Sequence, residues 1–170
     1  MIGKKKWYAE LDVNRISWCL LYTEVSEGGN PGGWISDYEV GVGNSQELLE
    51  TQRDSVDGPG REKELLRDIA EFLGDLQKEE PVIITPDNRT LRHLRTRFLR
   101  RDVEVGFHGM RHAPLQRLYT TYFTYEEDKV RFGSLDMEEP PDGMVVQEMW
   151  KAYRKLGTYV PRTAVKGEPL

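Results

Sequence analysis

Residues 82–97 read VIITPDNRTLRHLRTR, and the reading of this stretch decides the fold. A short β-branched run ends in Thr-Pro-Asp-Asn and gives way to a segment dense in arginine. Pro81 to Thr85 has the composition of a buried strand, and Asn88 stands where a helix N-cap belongs, so an arginine-rich helix is expected to about Arg101. Just upstream, Arg61 to Lys78 places Leu65, Leu66, Ile69, Leu73 and Leu76 on one stripe at helical spacing. Val103 to Val105 is expected to supply the next strand. The centre of the chain therefore reads α-β-α-β.

Towards the N-terminus the period changes from helical to strand-like. Lys6 to Val13 alternates, with Trp7, Ala9, Leu11 and Val13 opposite Tyr8, Glu10 and Asp12. After Asn14-Arg15, the run ISWCLLYTEV (16–25) is continuously apolar at its centre, as in a strand covered on both faces. EGGNPGG (27–33) is a loop by composition. Trp34 to Val42 then alternates again, and Asp37 and Glu39 suit a solvent-facing sheet edge. A polar loop is expected from there to Gly60. Beyond the central unit, Ala113 to Phe123 begins as a helix, Lys129 to Phe132 reads as a strand, and Met144 to Lys155 is amphipathic. The sum is an α/β domain with a mixed sheet: an antiparallel three-stranded meander followed by α-β-α-β. One domain spans 1–157, and 158–170 is expected to be a loosely ordered tail.

Bulk composition narrows the setting. A chain of 170 residues is long enough to bury one core. No apolar run reaches the roughly 18 residues of a membrane span, so no membrane partner is expected. The start, MIGKKKW, lacks the apolar stretch of a secretory signal. The single cysteine, Cys19, excludes an internal disulfide and suits a cytoplasmic protein; within WCLLY it reads as core packing. The net charge is −5, yet residues 89–117 hold eight arginines, no lysine and two acids, a local net of +6 that leaves −11 elsewhere. Arginine in such density suits bidentate contact with phosphate or carboxylate, and it equally suits an exposed helix paired with neighbouring acids.

Two longer stretches carry a family resemblance. EKELLRDIAEFLGDLQKEEPVIITPDNRTLRHLRTRF (62–98) resembles the middle of the 3′–5′ exonucleases of the ribonuclease H-like superfamily, where a leucine-rich helix leads into a strand, a Thr-Tyr-Asn-Gly turn and a helix closing Leu-Arg-Thr-Arg. PPDGMVVQEMWKAYRKLGTY (140–159) is similar to a late helix of the YprB-like domains of that superfamily. With AELDVN near the start, the likeness spans most of the chain. The resemblance implies a ribonuclease H-like fold, a single-stranded nucleic-acid partner, and carboxylates holding Mg²⁺ or Mn²⁺ that activate water.

Carried over residue by residue, the motif thins. Asp12 matches the first carboxylate of the family's Asp-x-Glu, but Asn14 stands in place of the glutamate. The second motif's aspartate falls on Arg92, and YVPRTAVKGEPL has no aspartate where the last motif would follow. One arrangement restores a site. Glu10 and Asp12 share a strand face, and Asp87 leaves the strand that this fold places alongside the first, so Glu10, Asp12 and Asp87 are the candidate catalytic and metal-binding set. The alternative is that Glu10 and Asp12 face solvent and Asp87 closes an Asx turn. Arg89, Arg92, Arg95, Arg97 and Arg111 are the candidate nucleic-acid contacts. Two functions follow: a metal-dependent nuclease, or a degenerate relative that only binds nucleic acid. A third is a module for an acidic protein partner.

Three weaker patterns stand beside these. His108 and His112 form H-x-x-x-H but lack a third ligand for zinc. Gly41-Val-Gly43 is a lone G-x-G, insufficient for a nucleotide site. Tyr119, Tyr122, Phe123 and Tyr125 are candidates for base stacking or for core packing.

Overall fold

The computed structural model describes residues 6–8, 11, 16–26, 33–44, 46–77, 80–105, 110–122, 145–159 and 168–169. Strands β1 (Trp18–Ser26), β2 (Trp34–Gly43) and β3 (Leu48–Ser55) form an antiparallel meander. A 3-10 turn at Pro59–Arg61 leads into α1 (Glu62–Leu76), then β4 (Val82–Thr85), α2 (Arg89–Arg100), β5 (Arg111–Pro114) and α3 (Leu115–Tyr122). Helix α4 (Val145–Tyr159) and a two-residue β6 (Glu168–Pro169) complete the described chain. The six strands lie in the order β3-β2-β1-β4-β5-β6, with β1, β4 and β5 mutually parallel. The expected architecture, an α/β domain whose mixed sheet has an antiparallel meander followed by α-β-α-β, holds.

Alternation along the strands sorts the core into two layers. Cys19, Leu21, Tyr38, Val40, Val42 and Ile83 face α1 and α2, which contribute Leu65, Leu66, Ile69, Phe72, Leu73, Leu91, Leu94 and Phe98. Trp18, Leu20 and Ile84 face the other way and pack with Leu115 and Leu118 of α3 and with Val145, Val146, Met149, Ala152 and Leu156 of α4. Burial pushes the Cys19 thiol up to about 12, which keeps it protonated and unreactive.

The G-x-G pair serves the second layer. Gly41 and Gly43 sit opposite Leu20 and Trp18. The Trp18 ring lies over the space that a side chain at 43 would fill, stacks on Trp150 of α4 at 4.6 Å, and donates from Nε1 to the Asn44 carbonyl at 2.6 Å. A Cβ at position 43 would run into both the Trp18 ring and the Glu47 carbonyl oxygen. Gly43→Ala is therefore expected to destabilise the domain by about 1–3 kcal/mol, the usual range for overpacking. Urea unfolding followed by tryptophan fluorescence checks this.

Four local expectations differ from the structure. The strand expected over Lys6–Val13 is not formed at its described residues: Tyr8 accepts from the Leu11 amide in a turn, Tyr8 and Lys6 both bond Asp75, and Trp7 packs edge-on against Phe72. Anchoring to α1 replaces sheet pairing there. The meander gains its third strand from Leu48–Ser55 instead, where charges suit the outermost position of the sheet. Strand β2 is consequently interior, and Glu39 is buried rather than at an edge. Val103–Val105 is irregular, and the strand after α2 is Arg111–Pro114. Towards the C-terminus, α4 continues through Tyr159 and Glu168–Pro169 pairs with β5, so structure extends past the expected end of the domain. The strand expected at Lys129–Phe132 lies outside the described residues.

Candidate nucleic-acid interface

Helix α2 carries the arginines, and its two faces have different chemistry. Leu91, Leu94 and Phe98 recur at helical spacing and are buried against the sheet. Arg89, Arg92, Arg95, Thr96, Leu99 and Arg100 lie on the opposite side and are exposed. The start is fixed by Asp87, not by the expected Asn88, whose side chain makes no capping bond. Asp87 Oδ1 accepts from the amides of Arg89 at 2.8 Å and Thr90 at 3.1 Å. This carboxylate already occupies the anion position at the helix N-terminus, so the cationic character of α2 comes from its side chains. The helix ends at Arg100, and Asp102, two residues on, has a φ of 53°, the left-handed conformation that stops a helix and that aspartate tolerates.

At the other end of α2, in the β4–α2 turn, Thr85 Oγ1 donates to the Asp87 carbonyl at 2.7 Å. A hydroxyl has one hydrogen, so its 2.6 Å contact with His112 Nε2 requires the histidine to donate. His112 thus braces the β4–α2 turn. His108, the other histidine of the H-x-x-x-H pattern, lies outside the described residues.

Arg97 turns inward. It is buried together with Glu62, the first residue of α1. Arg97 Nε approaches both carboxylate oxygens, at 2.9 and 3.2 Å, while its Nη2 bonds Oε1. Arg101 Nε adds 2.8 Å to Oε1, and the Ile35 amide of β2 adds 2.6 Å to Oε2. Burial opposes the Glu62 charge, but the hydrogen bonds from Arg97, Arg101 and Ile35 and the Arg97 charge outweigh it, and the carboxyl sits below its ordinary value. The expectation that Arg97 meets nucleic acid is therefore corrected: its guanidinium is consumed by Glu62. Arg111 is exposed but registers beside Val82, which packs in the α3/α4 layer. It shares that face and does not join the α2 array.

Arg89, Arg92, Arg95 and Arg100 remain. None makes an ion pair to a described residue, in contrast to Arg53, Arg61, Arg97 and Arg101. Arg100 and Leu99 are absent from the sequence-based set. The signal for both is the helical wheel: Leu99 is seven residues from Arg92 and four from Arg95, hence on the outward stripe.

Of the carboxylates that the family resemblance implies, Asp87 alone is among the described residues. Glu10 and Asp12 lie outside them. The strand beside β4 is β1, which pairs Trp18, Cys19 and Leu20 with Val82, Ile83 and Ile84, so the geometric reason for bringing Lys6–Val13 to Asp87 is lost. Asp87 spends its Oδ1 on the helix start. Among the described residues no group of three or more His, Cys, Asp or Glu is placed to hold a Mg²⁺ or Mn²⁺ ion. Also among them, no helix is long and apolar enough to cross a membrane. The side chains of Tyr119, Tyr122, Phe123 and Tyr125 lie outside the described set.

No family model and no curated protein matches the chain. Among solved structures, Thermus thermophilus RuvC in complex with a Holliday junction substrate aligns with 90% of this chain and 99% of that one, at 14% identity and a TM-score of 0.42.

Proposed function

We propose that this ribonuclease H-like domain binds single-stranded nucleic acid through the outer face of α2, and that binding requires no metal ion. The observation that carries this reading is the partition of the arginines. Glu62 pairs with the two that face α1, Arg97 and Arg101, whereas four outward ones have no ion pair among the described residues. A row of guanidinium groups with no ion pair among the described residues, on an otherwise acidic chain, suits a polyanion, and the acidic remainder steers it to that face. Arginine supplies the bidentate geometry that a phosphate rewards.

The test is equilibrium binding of a fluorescent single strand across a salt series, with and without EDTA. Four phosphate contacts predict a slope of log K against log[salt] of about −3 for a single strand, unchanged by EDTA. A slope near zero, or affinity that vanishes with EDTA, overturns the proposal. Metal-dependent shortening of the strand would restore the nuclease reading with Glu10, Asp12 and Asp87. Binding to acidic proteins but to no oligonucleotide would favour the protein-partner reading.

A further inference from the structure

Resting on that reading, we propose that Leu99 is a specificity-determining residue, making the α2 face select strands with unpaired bases over a bare sugar-phosphate chain. Leu99 is 83% exposed, the most exposed of the large hydrophobic residues described, and Val25 at 43% lies elsewhere, at the end of β1. An isolated surface leucine is ordinary. This one sits inside the arginine array: Arg95 and Thr96 are one turn back, Arg92 two turns back, and Arg100 adjacent. Helical side chains lean towards the N-terminus, so the leucine overlies the turn that carries Arg95 and Thr96.

The phosphates of a strand held by Arg92, Arg95 and Arg100 would bracket Leu99. What a single strand offers at such a point, and a stacked duplex withholds, is the apolar face of a base. Covering the isobutyl group with that face removes apolar surface from water on both partners. Phosphate contacts cannot supply this preference, because every strand carries phosphates.

The experiment compares a labelled single-stranded oligonucleotide with an abasic strand of the same length and charge, using fluorescence anisotropy. The wild-type chain is expected to bind the base-bearing strand about tenfold tighter, the scale set by covering one leucine side chain. Leu99→Ala is expected to erase that difference while leaving affinity for the abasic strand unchanged, and Leu99→Phe to preserve or enlarge it. Equal wild-type affinity for the two strands overturns the inference, as does a Leu99→Ala loss that falls on both alike; in either case the arginine-face reading stands. Absence of affinity for both strands overturns the two together.

Discussion

Glu62→Ala is expected to destabilise the domain by about 3–5 kcal/mol, the range for removing one partner of a buried ion pair. For a domain of this length that corresponds to a fall in Tm of roughly 10 °C or more. The reason is what the substitution leaves behind. Arg97 stays buried with a permanent charge and no carboxylate, the Ile35 amide loses its acceptor, and Arg101 loses its anchor. Arg97→Ala is expected to be similarly damaging, because Glu62 then keeps only the partly exposed Arg101 as a charge partner, beside the Ile35 amide. Glu62 and Arg97 changed together to apolar residues of similar volume are expected to lose less than the two single effects added, since the uncompensated charge disappears with its partner. Denaturant unfolding of the two single variants and the double variant reads all three numbers.

The same carboxylate sets an acid limit. Its folded-state pKa lies below the ordinary 4.5, so its stabilising contribution is complete above about pH 4.5 and is lost as pH falls through the lowered value. A Glu62→Gln chain lacks that increment at neutral pH. Its stability therefore changes less than that of the wild type as acid is added below about pH 4.5.

Much of this was legible in the sequence, and the failures have physical causes. The runs ISWCLLYTEV and PVIIT announce strands because both faces are apolar, α1 announces itself by a leucine stripe, and α2 by the turn at Asp87-Asn88 that precedes it. Strand β3 was hidden because an outermost strand has little to bury: LLETQRDS has apolar residues only at its start. Lys6–Val13 has flawless alternation but is tied to α1 through Tyr8 and Asp75, a tertiary contact that no local period reports. The site shows the same division. Spacing alone puts Arg89, Arg92 and Arg95 outward. Whether Arg97 faces solvent or a buried acid 35 residues away depends on a helix-to-helix contact, and no pattern within α2 encodes that.

Replacing Arg89, Arg92 and Arg95 together by alanine is expected to weaken single-strand affinity about hundredfold near physiological salt, at roughly 1 kcal/mol for each charge-assisted hydrogen bond removed. The salt slope should fall in step, from about −3 to nearly −1, leaving Arg100 to hold the remaining phosphate. Lysine at the same three positions retains charge without the planar fork, so the slope should persist while affinity drops several-fold. Arg111→Ala, on the other face of the sheet, should change neither quantity. Stability is expected to move the opposite way. Arg89, Arg92 and Arg95 are like charges spaced three apart on one helix, their removal relieves repulsion, and alanine is the better helix former, so the triple variant should gain a few tenths to about 1 kcal/mol. A surface row that lowers stability while it is empty, and that nothing inside the described chain neutralises, is what a site kept for an external anion looks like. Were the triple variant to lose stability instead, those arginines would be part of the internal framework, as Arg97 is, and the polyanion reading would lose its basis.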